Sequence, residues 1–171
     1  MDGVLLLDKP VGCTSNAALQ RVKRLFNAEK AGHIGTLDPQ ASGLLPICLG
    51  EATKFSADLT EADKAYEADI LLGVTTTTGD SEGEVLVRRG VDVGRAQFDE
   101  VLARFIGVIE QVPPMYSALK RGGKPLYEYA RAGIEVAREA RRVTVHALRV
   151  EAFDAPRVRV SMRVSKGTYV R

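Results

Sequence analysis

Residues 157–164, RVRVSMRV, alternate strictly between apolar side chains and polar or basic ones. In an extended chain this period of two places four apolar side chains on one face and three arginines and a serine on the other. Such a strand fits a sheet that buries one face in a core and leaves the other in contact with water. The pattern therefore makes a half-buried sheet the starting point for the fold.

The same reasoning locates the other main elements. Apolar runs and alternation predict strands at 3–8, 64–72 and 141–150, and helical spacing predicts helices at 16–27 and from Phe98 to Phe105. Residues 79–83 predict a hairpin turn between the threonines at 75–78 and residues 85–87. Helices and strands follow no regular βαβ repeat. We therefore predict an α+β fold with a mixed, mostly antiparallel sheet and with helices and loops packed around it.

Composition narrows the class of protein. The chain has 171 residues, 45% of them hydrophobic, which is enough for one domain with a real core. No apolar run approaches the roughly 18 residues of a membrane span, and the first residues predict a strand and not a signal peptide. Cys13 and Cys48 have no metal-ligand spacing, so we expect structural thiols in a reduced, cytoplasmic protein.

The charge is unevenly distributed along the chain. Residues 1–114 hold 11 Lys and Arg against 17 Asp and Glu, whereas residues 115–171 hold 13 against 5. The basic second part favours contact with a polyanion such as nucleic acid. Arginines on a solvated sheet face would give the same count, so the charge alone leaves both interpretations open.

The segment GHIGTLDPQASG at residues 32–43 surrounds one carboxylate, Asp38, with glycines. A lone Asp before a proline is commonly a turn or cap residue. Glycines also let a backbone approach a ligand closely and hold a side chain on a tight turn, which fits a catalytic carboxylate. The residues of this segment, taken alone, are compatible with either role.

Five segments carry further information; in chain order they are KPVGCTS, HIGTLDPQASGLLPICLGEATK, KAYEADILLG, VPPMYSALKRGGKPLYEYARAGIEV and VSKGTYVR. Together they closely resemble the TruB-type tRNA pseudouridine synthases. They occur in the family's order and extend over essentially the whole chain. The resemblance implies the pseudouridine synthase catalytic fold over residues 1–171. It also implies a monomeric enzyme that isomerises uridine 55 in the tRNA T loop without a metal, an organic cofactor or a protein partner.

The resemblance also implies roles for individual residues. Asp38 is expected to be the nucleophile, Tyr66 to stack on the flipped base and Arg171 to pair with Asp38. Asp80 is expected to hold Arg171, and His33 to assist the opened RNA. Residues 115–142 match a basic insertion that closes over the RNA like a thumb. Further RNA contacts are expected from Lys9, Lys54, Tyr116, Lys120, Arg121, Lys124, Arg131, Arg141 and Arg142. Without the resemblance, Tyr66 would be an ordinary core tyrosine and Arg171 one more arginine of a basic strand.

Two features depart from the family pattern. Thr77 occupies a position where the family usually has an aspartate, which we interpret as peripheral variation. The family continues beyond the position of Arg171 with a strand, helices and often a small RNA-binding domain, so we expect a fragment of a longer protein.

Other functions remain open at this point. A non-catalytic tRNA-binding module would need only the basic segment, and a guide-RNA-dependent relative would modify ribosomal RNA. The segment PPMYSALKRGGKPLYEYAR favours the stand-alone type over that relative. A carboxylate-dependent glycoside hydrolase is disfavoured because no second catalytic acid stands out.

Overall fold

The structure, a computed structural model, describes the backbone of residues 1–171 and every side chain except that of Asp58. It divides into two compact units, Met1–Ala62 and Asp63–Arg171. Among the described residues, no helix is both long enough and apolar enough to cross a bilayer. The prediction of one catalytic domain over the whole chain stays a prediction.

The first unit is a three-stranded sheet with one long helix packed against it. Its elements are β1 (Gly3–Lys9), α1 (Ser15–Leu25), β2 (Ala31–His33), β3 (Gly43–Leu49), a 3-10 helix (Gly50–Phe55) and α2 (Ser56–Thr60). The strands pair antiparallel in the order β1–β3–β2, so β3 is central. The predicted strand at 3–8 and most of the predicted helix at 16–27 are confirmed.

The hydrophobic core of this unit forms where α1 meets β3. It contains Leu19, Val22, Ala28, Ile47 and Leu49. Ile47, on the central strand, is completely buried. Removing such a side chain from water contributes about 1.5–3 kcal/mol, so the contact between α1 and β3 holds the unit together.

The second unit is built on a four-stranded sheet. Its elements are β4 (Lys64–Leu71), β5 (Val74–Thr76), β6 (Val85–Arg88), α3 (Arg95–Ala103), β7 (Gly107–Gln111), β8 (Lys120–Arg121), β9 (Lys124–Pro125), α4 (Leu126–Arg131), β10 (Arg141–Asp154) and β11 (Arg157–Val164). The main sheet has the order β4–β11–β10–β7, and β5–β6 and β8–β9 are separate hairpins. Every strand pairing among the described residues is antiparallel, and the α+β class is confirmed.

The alternation of β11 determines which face of this sheet is buried. Val158, Val160 and Val164 are at most 1% exposed, whereas the three arginines of the strand are exposed. On the exposed face, Arg159 donates from Nε and Nη2 to the two carboxylate oxygens of Asp69, at 2.8 and 3.1 Å. These hydrogen bonds hold the pKa of Asp69 below its ordinary value. The arginines of β11 therefore lie on a solvated face, and Arg159 is already paired with Asp69.

The helix predicted from Phe98 to Phe105 ends earlier than expected. α3 stops at Ala103, and the next three N–H groups donate to carbonyls only three residues back. This tighter turn carries Phe105 out of the helix, where it is 51% exposed. The apolar spacing of the sequence thus continues to Phe105, one apolar residue past the end of the helix.

Replacing Ile47 by Ala is expected to lower the free energy of unfolding by about 2–5 kcal/mol, because the deletion leaves a cavity at the centre of the first unit. Leu44→Ala on the same strand is the matched control. Its side chain is 64% exposed, and its loss should change stability by no more than about 0.5 kcal/mol. Urea denaturation of both variants measures the difference. Equal effects would contradict the assigned core.

Candidate active site

The loop between β2 and β3 carries the predicted nucleophile. Its first residue, Ile34, is 5% exposed, and its N–H donates to the carbonyl of Pro46 at 2.9 Å. Gly35 and Gly43 have φ angles of +78° and +124°, a region that favours glycine. Between them, the side chain of Asp38 is exposed. The start of the loop is therefore fixed by a buried side chain and a backbone hydrogen bond, and the loop exposes a carboxylate to solvent.

The backbone on both sides of Asp38 is held by the segment that leads into α1. The Ser15 hydroxyl accepts from the N–H of Leu37 at 2.9 Å and donates to the carbonyl of the same residue at 3.0 Å. The N–H of Gly12 donates to the carbonyl of Pro39 at 2.8 Å. The residues immediately before and after the carboxylate are thus both tied to one segment.

Lys9 holds this segment in turn. Its side chain is completely buried, and its ammonium donates to the carbonyls of Pro10 and Cys13 at 3.0 and 2.8 Å. A buried ammonium is costly unless its donors are used, so these two bonds fix the turn between β1 and α1. The RNA contact expected of Lys9 stays a prediction, and the structure gives its ammonium two backbone partners instead.

His33 is oriented by its own loop. Its Nδ1 lies 2.6 Å from the carbonyl of Gly35. A carbonyl can only accept, so Nδ1 carries a hydrogen and donates it to this carbonyl. The ring is half-buried, and the RNA contact expected of His33 stays a prediction.

In the second unit, Arg171 and Asp80 form a largely buried ion pair. Nη1 of Arg171 lies 3.0 Å from Oδ2 of Asp80, and the two side chains are 13% and 26% exposed. The other carboxylate oxygen, Oδ1, accepts from the hydroxyl of Thr78 at 2.5 Å and from the N–H of Glu82 at 3.0 Å. Asp80 thus has both oxygens engaged and holds the guanidinium in one place. The ion pair is present, and the part that the resemblance implies for Arg171 in catalysis stays a prediction.

The departure at Thr77 has a local explanation. Its hydroxyl oxygen accepts from the N–H of Glu84 at 3.1 Å, and its own N–H donates to the carbonyl of Glu84 at 3.0 Å. A hydroxyl oxygen here satisfies a backbone donor of the hairpin, as a carboxylate oxygen could. The interpretation as peripheral variation is consistent with this role.

Tyr66 lies on β4, opposite Met162 on β11. It is half-buried and lines an open cavity of about 510 Å³, together with Met162 and Arg149. An aromatic ring at an open cavity has an accessible surface for stacking, which a fully buried core tyrosine would lack. Its predicted stacking role stays a prediction.

The basic residues predicted to contact RNA are mostly exposed. Those in this class are Lys54, Lys120, Arg121, Lys124, Arg131, Arg141 and Arg142. Lys54 is paired with Glu51, and Arg131 lies 5.2 Å from the ring centroid of Tyr127. Tyr116 is half-buried.

Several of these residues meet around one small cavity of about 120 Å³. Lys120 and Arg121 on β8 and Arg141 at the start of β10 line it, and Arg138 joins them. Arg138 was not predicted. Its guanidinium donates to the carbonyl of Pro113 at 3.3 Å, while its buried Nε has no partner among the described residues. The fold therefore brings together four cations that are up to 21 residues apart in the sequence, with Glu139 also in the lining and Arg138 paired with Glu135 at 3.3 Å.

The structure also adds two residues to the site that the sequence analysis did not assign to it, Ser15 and Gly12. The pair Thr14 and Ser15 signals a helix start, and either hydroxyl could cap it. Thr14 is the N-cap, since its oxygen accepts from the N–H of Ala17 at 3.0 Å. The hydroxyl of Ser15 is therefore not used as the cap and instead binds the loop at Leu37.

Among the described residues, no three His, Cys, Asp or Glu side chains are grouped so that they could hold a metal ion. Cys13 and Cys48 are both free thiols, and burial raises the pKa of Cys48 above its ordinary value. A raised pKa keeps that thiol protonated and unreactive, which agrees with a structural role. The expectation that no cofactor is needed stays a prediction.

The family model and the curated relatives that match this chain all name pseudouridine synthases. Residues 23–170 match the N-terminal domain of the TruB family pseudouridylate synthases. The tRNA pseudouridine synthase B of Azoarcus sp. (strain BH72) is 63% identical over all 171 residues, and that of Burkholderia mallei (strain NCTC 10247) is 66% identical. In both comparisons this chain spans 57% of the length of the relative.

Two solved structures contain a chain with a similar fold. A Cbf5–Nop10–Gar1 complex contains a chain that is 32% identical, with a TM-score of 0.73 over 99% of this chain and 41% of that one. An H/ACA RNP bound to a substrate RNA containing 2′-deoxyuridine contains one that is 30% identical, with a TM-score of 0.69 over 99% of this chain and 39% of that one.

Replacing Gly83 by Ala is expected to disturb the turn that holds Asp80. The added Cβ would lie 2.4 Å from Oγ1 of Thr78 and 2.6 Å from its backbone nitrogen, so the backbone must shift. We expect a loss of about 1–3 kcal/mol of stability, as for overpacked sites in general. Thermal unfolding measures it.

Gly90→Ala is the matched control for this substitution. A Cβ there meets nothing within 4 Å, so the variant should be as stable as the parent or slightly more so. Equal melting temperatures for the two alanine variants would argue against the tight packing of Gly83.

Proposed function

The chain belongs to the TruB family of pseudouridylate synthases, and from this premise we propose that it carries the catalytic residues of a tRNA pseudouridine synthase. The observation that carries the proposal is the exposed carboxylate of Asp38 on a loop whose neighbouring residues are tied to the rest of the fold. Whole-chain identity of 63–66% to proteins named tRNA pseudouridine synthase B supports tRNA as the substrate.

The proposed reaction is an isomerisation at uridine 55 of the T loop. The bond from ribose C1′ to N1 of the base breaks, the base turns over, a bond from C1′ to C5 forms and the C5 hydrogen leaves as a proton. N1 gains a proton, so atoms and electrons balance without a redox partner. We therefore propose that the reaction needs no cofactor.

Asp38 is proposed as the nucleophile of this reaction. A carboxylate can add to C1′ of the ribose or to C6 of the base, and in either case it must be ionised when the substrate excludes water. An arginine nearby typically lowers the pKa of a carboxyl by about 1–3 units, which offsets desolvation. Arg171 is proposed for this task, with Asp80 holding its guanidinium in place.

The target base must leave the RNA fold before Asp38 can reach it. Extruding a base costs a few kcal/mol, and stacking it on an aromatic ring returns about 1–3 kcal/mol. Tyr66, at the edge of an open cavity, is proposed as that ring. His33, whose ring is oriented by the contact of Nδ1 with Gly35, is proposed to contact the opened RNA loop.

The exposed cations of residues 115–142 are proposed to bind the T-arm backbone. Phosphate contacts position an RNA without reading its sequence, so specificity would come from the shape of the folded arm. The exposed side chains of Lys120, Arg121 and Arg141, which line one cavity, support a concentrated contact.

Two alternatives are weaker on specific grounds. A guide-RNA-dependent enzyme would resemble the ribonucleoprotein chains most, yet identity to them is 30–32% against 63–66% for the tRNA enzymes. A pure binding module has no need of a fixed, exposed carboxylate. We therefore propose a stand-alone, monomeric enzyme that requires no protein partner.

The proposal predicts that Asp38→Asn abolishes tritium release from a T-arm RNA carrying 5-tritiated uridine, because label leaves C5 only when the new bond forms there. Binding of the same RNA, measured by filter retention, should stay within about threefold of the parent, since phosphate contacts dominate affinity. The parent protein is assayed in its natural full length.

Asp92→Asn is the control, since Asp92 is exposed in a different loop and the substitution removes the same charge. It should release tritium at the parental rate. Robust release by Asp38→Asn would refute the nucleophile, and absence of release by the parent despite RNA binding would leave the binding module as the better description.

A further inference from the structure

We infer that Ser15 is a positioning residue for the Asp38 carboxylate. This inference rests on the proposed function. Ser15 is buried, and its hydroxyl would act on Asp38 through the backbone of Leu37.

The first support is the geometry of the contact. One hydroxyl serves both polar groups of the same residue, accepting from the N–H of Leu37 at 2.9 Å and donating to its carbonyl at 3.0 Å. With both groups engaged, the peptide units on either side of Leu37 cannot rotate freely. The second of these units leads directly into Asp38.

Burial strengthens the contact. Ser15 is 2% exposed, so water cannot easily replace its hydroxyl as the partner of Leu37. A backbone group that loses its partner in such a place is left unsatisfied. The loop therefore has one favourable arrangement here and no cheap alternative.

Two further bonds complete the arrangement on the other side. Gly12 donates to the carbonyl of Pro39 at 2.8 Å, and Ala41 donates to the carbonyl of Asp38 at 3.0 Å. Asp38 is thus held before, at and after its own position. Of these contacts, only that of Ser15 is made by a side chain. It can therefore be removed by a substitution that leaves the loop sequence and Gly12 unchanged.

Helix capping does not explain the Ser15 hydroxyl. Thr14 is the N-cap of α1 and satisfies the N–H of Ala17. The two neighbouring hydroxyls thus have different partners. That of Thr14 caps the helix, and that of Ser15 binds a loop residue 22 positions further along the chain. This division supplies a control variant that differs by one position.

Loss of the Ser15 contact should affect chemistry and leave RNA binding intact. A misplacement of about 1 Å in a reacting group can cost about a hundredfold in rate. Ser15→Ala is therefore expected to lower the single-turnover rate of tritium release at saturating RNA by about 10–100-fold. The Kd for the RNA should stay within about twofold, because the proposed phosphate contacts lie elsewhere.

Thr14→Ala tests whether any damage near the start of α1 has the same effect. It removes the N-cap and should lower the melting temperature, while the single-turnover rate stays within about twofold of the parent. Both variants are assayed in the full-length protein, well below their melting temperatures. A second readout, deuterium uptake of the peptide spanning 34–42, should rise in Ser15→Ala and not in Thr14→Ala.

The single-turnover rates and the deuterium uptake of the two variants decide whether the inference holds. Parental rate and parental uptake in Ser15→Ala would overturn the inference, as would equal losses of rate in the two variants. If the parent itself releases no tritium, the proposed function fails, and deuterium uptake still decides whether Ser15 fixes the loop.

Discussion

The hydrogen bonds between the Ser15 hydroxyl and the backbone of Leu37 are the constraint on which the candidate site depends. They connect a loop with little regular structure to the first residue of α1, and α1 packs on the central strand β3 through the core of the first unit. The exposed carboxylate of Asp38 is thereby coupled to buried residues such as Ile47. Positioning of a surface group by a packed core is how a small sheet can support chemistry that requires precise placement.

Electrostatic support follows the same logic in both units. Lys9 is buried and directed at two carbonyls, so its charge stabilises a turn. Arg171 is held by Asp80, whose second oxygen is occupied by Thr78 and Glu82. In each case a charged group that would cost free energy in isolation is fixed by satisfied partners. A cation fixed in this way loses little further freedom when a substrate arrives, which is the value of preorganisation.

Much of the fold was predictable because its strands carry strong periodicity. The alternation of β11 correctly placed Val158 and Val160 in the core, and the residues at 79–83 correctly predicted the β5–β6 hairpin. The short elements β2, β8, β9 and α4 were not predicted, because two to six residues show too little of either period. The end of α3 was placed too late because Phe105 continues the apolar spacing after the backbone has tightened.

The site was predictable in part. The sequence motifs single out Asp38 as the candidate nucleophile, a role that stays a prediction, and the structure shows Asp80 in an ion pair with Arg171. The role of Ser15 could not be derived, because its partner is 22 residues away and two neighbouring hydroxyls offered the same capping signal. Arg138 was missed because only the fold brings it to the cavity of Lys120 and Arg141.

We propose that this chain supplies the nucleophilic carboxylate for the isomerisation of one T-loop uridine to pseudouridine. The most direct measurement is to treat a whole tRNA transcript with the full-length protein, modify the product with a carbodiimide that marks pseudouridine, and map it by reverse transcription. One new stop next to position 55, absent without protein, is the expected result. An unchanged pattern, or stops at many uridines with none next to position 55, would contradict the claim.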